Sequence, residues 1–325
     1  MTNSSRTSGS MRAIVQRRFG GPDVLEPADV PRPEPASNEV LVRVHAAGVN
    51  PIDCALRAGE LGQPAAFPLI NGRDISGVIL DTGDSVVSLH VGDEVYGMLD
   101  DRAGGYAEYV STPACYVVRK PSSLSHPQAA AMPLAGLTAW QMLVNVAQVR
   151  AGQRVLIHAA AGGVGHLAVQ IAKARDAYVL ATARVANHAF LHSLRVDETI
   201  DYTTTDFAAH CRDIDVVLNL VGGPYVRRSV MTLRRGGVLI TVRSAGYEAD
   251  LAEAEQRNVR VERFLVRPDQ DGLSQLSELV DTGRLRVELN TVLAMDEASK
   301  AHALVESRRV RGKIVLETTR EVQDG

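Results

Sequence analysis

The sequence predicts an α/β protein in two parts: a barrel-like antiparallel β region, and a doubly wound parallel sheet inserted into it. Three observations carry this. Short β-rich segments separated by Gly- and Pro-rich turns fill residues 11–126. From Pro127 the rhythm changes to alternating strand and helix. Within that second region, 155–174 reads as strand, glycine turn and helix start. In order, the first region carries candidate strands at 12–16, 39–46, 84–87, 91–96 and 106–110. The second has them at 154–158, 178–182, 198–200, 215–220, 238–242 and 261–266, most separated by helical patterns. A helix at 272–282, a β segment at 292–293, a helix at 296–307 and a last strand at 312–317 close the chain. Residues 127–266 are thus expected as a domain inserted between 11–126 and 267–325, after a disordered tail at 1–10.

Composition bounds the function. The chain has 325 residues, 45% hydrophobic and 22% charged, with a formal net charge of -3. This is an ordinary globular balance with room for two domains. No basic surplus points to nucleic acid, and no apolar run approaches the ~18 residues of a membrane span. The opening ten residues are polar and lack the apolar stretch of a secretory signal. Cys54, Cys115 and Cys211 are scattered and odd in number, giving neither a disulfide framework nor a metal cluster. The expected compartment is the cytoplasm.

The glycine turn reads Ala160-x-Gly162-x-x-Gly165, with alanine where a first glycine usually stands. Backbone N–H groups at such a turn, with the helix dipole behind them, favour a pyrophosphate. Gly162 would let the backbone approach the phosphates, and Gly165 would let helix and strand pack closely. The alternative is a βα turn without a ligand. Sites preferring NADH place an acid at the end of the second strand, about 20 residues past the glycines. Here 177–196 holds no Asp or Glu, and the strand runs out through Thr182 to Arg184. Arg184 would attract a 2′-phosphate with bidentate geometry, and Thr182 could add a hydroxyl. NADPH is therefore the expected cofactor, the alternative being that Arg184 is a solvated residue at a helix start.

Several further strings occur in a fixed order: 46–53 (AAGVNPID), 72–77 (GRDISG), 104–109 (GGYAEY), 134–139 (LAGLTA) and 311–316 (RGKIVL). With the glycine turn, they make residues 11–317 resemble the medium-chain dehydrogenase/reductase superfamily, in its zinc-independent quinone oxidoreductase and enoyl reductase branch. The resemblance implies a GroES-like catalytic domain with an inserted Rossmann domain. It also implies cofactor contacts: Thr138 near the nicotinamide, Gly162, Gly163 and Val164 at the pyrophosphate, and Thr182, Arg184 and Tyr202 at the adenosine phosphate. Val221 would border the cofactor, Phe264 and Val266 would meet the carboxamide by main chain, and Lys313 would lie on the cofactor side. Bland alternatives are core strand positions for Phe264 and Val266, a helix-cap neighbour for Tyr202, and a solvated edge charge for Lys313.

Zinc-dependent relatives carry Cys where this chain has Asn50, and His-Glu where it has Arg73-Asp74. They also carry a four-cysteine loop with no counterpart here. Catalytic zinc needs about three Cys, His or carboxylate ligands, and arginine stays protonated; no metal is expected. Without a Lewis acid a conjugated acceptor is easier to reduce than a simple ketone, because hydrogen-bond donors suffice for the enolate. The expected substrate is accordingly an enone, enoyl compound or quinone. Asn50, in a Gly-x-Asn-Pro turn that faces the site in relatives, is the candidate catalytic donor and cofactor neighbour; the alternative is that it only caps the next helix.

Many enoyl reductases of this superfamily have a tyrosine acid shortly after that asparagine. Residues 54–60 here contain none, which leaves the proton donor unassigned. Arg57 is expected as a solvated helix charge, Asp53 as structural, Cys54 as a packed residue, and His45 and His158 as satisfied core histidines. Three functions remain open: alkene reduction with NADPH, of the kind used in secondary metabolism; NADPH:quinone oxidoreduction; and non-catalytic NADPH sensing. The run 261–266 is expected as an edge strand that pairs two copies into a homodimer. The loops at 58–68 and 244–250 identify no substrate.

Overall fold

A computed structural model describes residues 9–62, 66–100, 104–242 and 248–318. Most of the expected tail, and parts of the loops at 58–68 and 244–250, lie outside the described residues. The chain runs β1 (Ser10–Gln16), β2 (Glu26–Pro31), β3 (Glu39–Val49), α1 (Pro51–Ala58), β4 (Leu69–Ile70), β5 (Asp74–Thr82), β6 (Glu94–Met98), β7 (Tyr109–Pro113), β8 (Val117–Arg119) and α2 (His126–Ala130). Then follow α3 (Pro133–Trp140), β9 (Arg154–Ile157), α4 (Gly165–Ala174), β10 (Tyr178–Ala183), α5 (His188–Ser193), β11 (Glu198–Asp201), α6 (Phe207–His210), β12 (Ile214–Asn219) and α7 (Tyr225–Val230). The chain closes with β13 (Leu233–Thr241), α8 (Glu248–Gln256), β14 (Arg260–Arg263), α9 (Gln270–Asp281), β15 (Leu289–Ala294), α10 (Ala298–Glu306) and β16 (Lys313–Glu317).

Two compact units result: one holds the residues up to Leu134, Pro268–Ser277 and those from Leu289 onward, the other Ala135–Arg267 and Glu278–Glu288. The first unit is GroES-like. Its larger sheet runs β15-β16-β3-β5-β6-β8, with β7 also on β3, and its smaller one β2-β1-β4. Strand β3 organises it: β5 covers one edge, while β7 pairs its first half and β16 its last four residues on the other. Val40, Val42, Val44, Ile75, Ile79 and Val95 fill the core against it. Gly48 is required there, because a Cβ would fall 2.4 Å from the Ala130 carbonyl oxygen and 2.9 Å from Asp74 Cβ.

The second unit is a Rossmann-type sheet in the order β11-β10-β9-β12-β13-β14, every pair parallel. The first strand of the unit lies centrally and the order reverses beside it, which is the switch point where such sheets bind ligands. Leu156, Leu180, Val217 and Leu239 form a core on one face with Val226 and Val230 of α7 and Ala254 of α8.

The expected fold class holds, with local corrections. Residues 84–87 form no strand: Ser85 and Val86 donate to Ser37 and Gly83 in a turn, and Val87 is 85% exposed. The strand expected at 106–110 begins at Tyr109; before it, the backbone meets β1 through single bonds such as Ile14 N–H to the Tyr106 carbonyl. β14 stops at Arg263, with one further bond from Phe264 N–H to the Thr241 carbonyl.

Candidate active site

In the Rossmann unit, β9 ends at Ile157 and delivers the glycine turn to the start of α4. The left-handed residue of that turn is Ala159, at φ 50°, so an alanine at 160 is tolerated where a first glycine is usual. Gly165 is not replaceable: its Cβ would lie 2.4 Å from the Ala159 carbonyl oxygen and 2.6 Å from Ala160 Cα. Gly162, Gly163 and Val164 are partly exposed over the first turn of α4, where backbone N–H groups have no helical partner. His166 Nδ1 bonds the Gly162 carbonyl at 2.9 Å and holds the turn.

At the end of β10, Arg184 is exposed and its Nε donates to the hydroxyl of Tyr202 at 3.0 Å. Two of the three residues expected at the adenosine phosphate are thus brought together from the ends of neighbouring strands. Thr182 points elsewhere. Its hydroxyl bonds His158 Nδ1 at 3.0 Å inside the sheet, whose Nε2 bonds Ser229 at 3.0 Å. Thr182 lies within β10 on the face of buried Leu180, whereas Arg184 lies beyond the strand's end. Thr138 is buried in α3, and Val221 turns its N–H back to Asn219 Oδ1 at 3.1 Å. Phe264 and Val266 are half-buried beyond the end of β14.

The GroES-like unit buries a polar cluster built from β3, α1, β5 and β16. Asn50 opens α1, yet its side chain does not cap the helix. Its Nδ2 donates to Asp74 Oδ2 at 2.9 Å and its Oδ1 accepts from Lys313 Nζ. That orientation is forced, since an ammonium can only donate and a carboxylate only accept. Lys313, only 4% exposed, also donates to the Val49 carbonyl at 3.1 Å and faces Asp74 Oδ2 at 3.7 Å. It is no solvated edge charge. Burial lowers its pKa, while Asp74 and Asp53 raise it. Asp74 also accepts the Leu134 N–H at 2.8 Å. Burial and then Asp74 push the Asp53 carboxyl up to about 7.

Other sequence expectations are corrected or sharpened here. Arg57 is not solvated: it is 2% exposed and bonds the Gly20 carbonyl at 3.0 Å, Glu306 at 2.5 Å and His302 Nδ1 at 3.5 Å. Burial raises Cys54 to about 12, leaving a packed thiol. His158 is fully satisfied, whereas His45 stacks on His126 at 4.3 Å and its Nε2 has no hydrogen-bond partner among the described residues. Among the described residues no group of three or more His, Cys, Asp or Glu could hold a metal.

Residues 36–122 match the alcohol dehydrogenase GroES-like domain, and 194–316 the zinc-binding dehydrogenase family. The chloroplast envelope quinone oxidoreductase homolog of Arabidopsis thaliana is 31% identical, over 94% of this chain and 98% of its own. The structure of the quinone oxidoreductase from Coxiella burnetii superposes with a TM-score of 0.88 at 37% identity, over 95% of this chain and all of the other. That of CurK enoyl reductase gives 0.87 at 30% identity, again over 95% of this chain and all of the other. The chain belongs to the zinc-independent quinone oxidoreductase branch of the medium-chain dehydrogenase/reductase superfamily.

As a member of that superfamily it is a nicotinamide-dependent oxidoreductase. The residues fit such a cofactor: a turn that admits no Cβ at 165, partly exposed backbone above α4, and an arginine–tyrosine pair where a ribose-binding acid would stand. Among the described residues no helix is long and apolar enough to cross a membrane. Sequence reasoning missed the partnership of Asp53, Asp74 and Lys313 around Asn50; the strings at 46–53, 72–77 and 311–316 held all four residues but not their convergence.

Proposed function

We propose that the protein is an NADPH-dependent reductase of conjugated C=C bonds, acting on an enone or enoyl substrate without zinc. The observation that carries this reading is the Asn50 amide. Lys313 on its oxygen polarises it, Asp74 anchors one N–H, and the second N–H remains as an oriented donor for the carbonyl oxygen of a conjugated acceptor. When bound, the nicotinamide supplies hydride to the electrophilic carbon. Asn50 then stabilises the negative charge that gathers on the substrate oxygen, and water supplies the proton that the α-carbon takes up to give the saturated product. Buried Lys313 acts through Asn50, its donors being taken up by Val49, Asn50 and Asp74.

In the Rossmann unit, Gly162, Gly163 and Val164 hold the pyrophosphate. Thr138, Val221, Phe264 and Val266 border the nicotinamide half of the cofactor. Arg184 and Tyr202 receive the 2′-phosphate, and with no acid at the end of β10 to repel it, NADPH is preferred over NADH. Thr182 supports that strand end through His158.

Quinone reduction is the second reading. It is favoured by the names of relatives and by residues 54–60, which offer no tyrosine to protonate a carbon. We further propose a homodimer formed through the β14 edge, and a cytoplasmic location, in keeping with three free cysteines. Product analysis with NADPH and matched enones and quinones separates the two reactions. A saturated product from the enone supports the first reading, and turnover of quinones alone replaces it with the second. Sedimentation at micromolar concentration tests the dimer, and a monomer there refutes it.

A further inference from the structure

Two buried carboxyl groups flank Asn50, and their surroundings differ. Burial raises the pKa of Asp74 as well, but three neighbours hold its negative charge: Leu134 N–H reaches one oxygen, Asn50 Nδ2 the other, and Lys313 stands beside it. Asp53 is fully buried on α1, and its donors reach a single oxygen. Oδ2 accepts the Asn50 backbone N–H at 2.8 Å and, at the longer distance of 3.5 Å, the Tyr106 hydroxyl. Oδ1 is buried and has no partner among the described residues. An unpartnered anionic oxygen in the interior is far more costly than an unpartnered neutral one. Of the two, Asp53 is therefore where a proton resides.

The groups behind Asp53 keep their polarity toward it. Arg57 can only donate, so His302 Nδ1 accepts and Nε2 carries the hydrogen. Nε2–H then donates to the Tyr106 oxygen at 3.2 Å, and the Tyr106 hydroxyl turns its own hydrogen to Asp53. The titratable and charged groups around Asp53 are Asp74 from β5, Arg73 before it, Lys313 from β16, Tyr106, His302 from α10, and Cys54 and Arg57 from α1 itself.

We propose that Asp53 is a positioning residue that works in its protonated form, leaving the charge of Lys313 to polarise Asn50, and that its ionisation weakens turnover. The inference rests on the reading of Asn50 as the oxyanion donor. Neutral Asp53 leaves one buried anion, Asp74, opposite one buried ammonium. Ionised Asp53 adds a second anion that draws on the same ammonium and pulls at the Asn50 backbone N–H. Burial and Asp74 place this change near neutral pH, at about 7.

The experiment pairs a spectrum with a pH profile on the full chain. Infrared difference spectra without cofactor, from about pH 5 to about pH 9, follow the carbonyl band of a protonated carboxyl. The wild type is expected to lose this band with a midpoint near 7, and Asp53→Asn to lack it. In parallel, kcat/KM is expected to fall roughly tenfold above the same midpoint in the wild type and to stay flat in Asp53→Asn. Tyr106→Phe removes one donor from Oδ2 and is expected to raise both midpoints together by roughly half a unit.

A band that persists unchanged in Asp53→Asn, or is absent from the wild type at low pH, overturns the proposal. So does a kcat/KM profile that Asp53→Asn and Tyr106→Phe leave unmoved. Unchanged turnover in Asn50→Ala overturns it through its premise, and an infrared band that behaves as expected then identifies the Asn50 reading as the part that failed.

Discussion

Asn50 is held from both sides by charged groups, so truncating it removes an oriented donor and unpairs Lys313 and Asp74. Asn50→Ala is expected to lower kcat by about 10²-fold or more, with NADPH affinity changed only a few-fold, measured by stopped-flow and fluorescence titration. Arg184→Ala loses a charge-assisted contact of roughly 1.5–3 kcal/mol, raising the Kd for NADPH by about 10- to 100-fold while leaving NADH unchanged. An equal loss for both cofactors would show that Arg184 does not meet the 2′-phosphate. Arg184 and Asn50 stood out in the sequence as candidates because each stands in a local string whose neighbours give it meaning. The convergence of Asp53, Asp74 and Lys313 on Asn50 did not, because a buried ion pair between β5 and β16 leaves no periodic trace. Thr182 read as a phosphate ligand because it lies two residues before Arg184; it still lies within β10, and its hydroxyl turns to buried His158 instead.

At the scale of elements, the β9–α4 turn depends on the closeness of its backbone. Gly165→Ala forces a Cβ against backbone atoms that have no rotamer by which to yield. It should cost about 1–3 kcal/mol and weaken NADPH binding at least tenfold, read by thermal melting with and without cofactor. A variant with unchanged melting and binding would contradict the packing account. The Rossmann strands were legible because fully buried parallel strands are continuous apolar runs of predictable spacing. The GroES-like sheet was less so. Its β2 is proline-flanked and half-exposed, and β5 is partly small and polar, with Gly77 lying so close to β3 that a Cβ would fall 2.0 Å from the Arg43 carbonyl oxygen. Residues 84–87 show the converse error, a valine pair in a turn that no ladder claims.

Across the whole molecule, buried histidines set the response to acid. Burial lowers His158 and His302 to about 3 and His126 to about 4. The unfolded chain takes up protons below about 6.5 while these folded sites do not, so stability is lost as pH falls from there toward the folded values. Each of the two deepest should forfeit about 2–4 kcal/mol by pH 4, seen as a falling urea midpoint. Asp53 acts in the opposite sense: its raised value makes its contribution greatest at low pH and progressively lost as pH rises toward 7. Asp53→Asn should therefore gain on the wild type between about pH 5 and about pH 8. The central claim, reduction of a conjugated C=C bond under the Asn50 amide, is tested most directly by one measurement. NADPH oxidation is followed with an enone acceptor, in the wild type and in Asn50→Ala, with the product identified. A saturated carbonyl product from the wild type, formed about 10²-fold more slowly by the variant, is the predicted result. Turnover confined to quinones, or a variant as fast as the wild type, would contradict it.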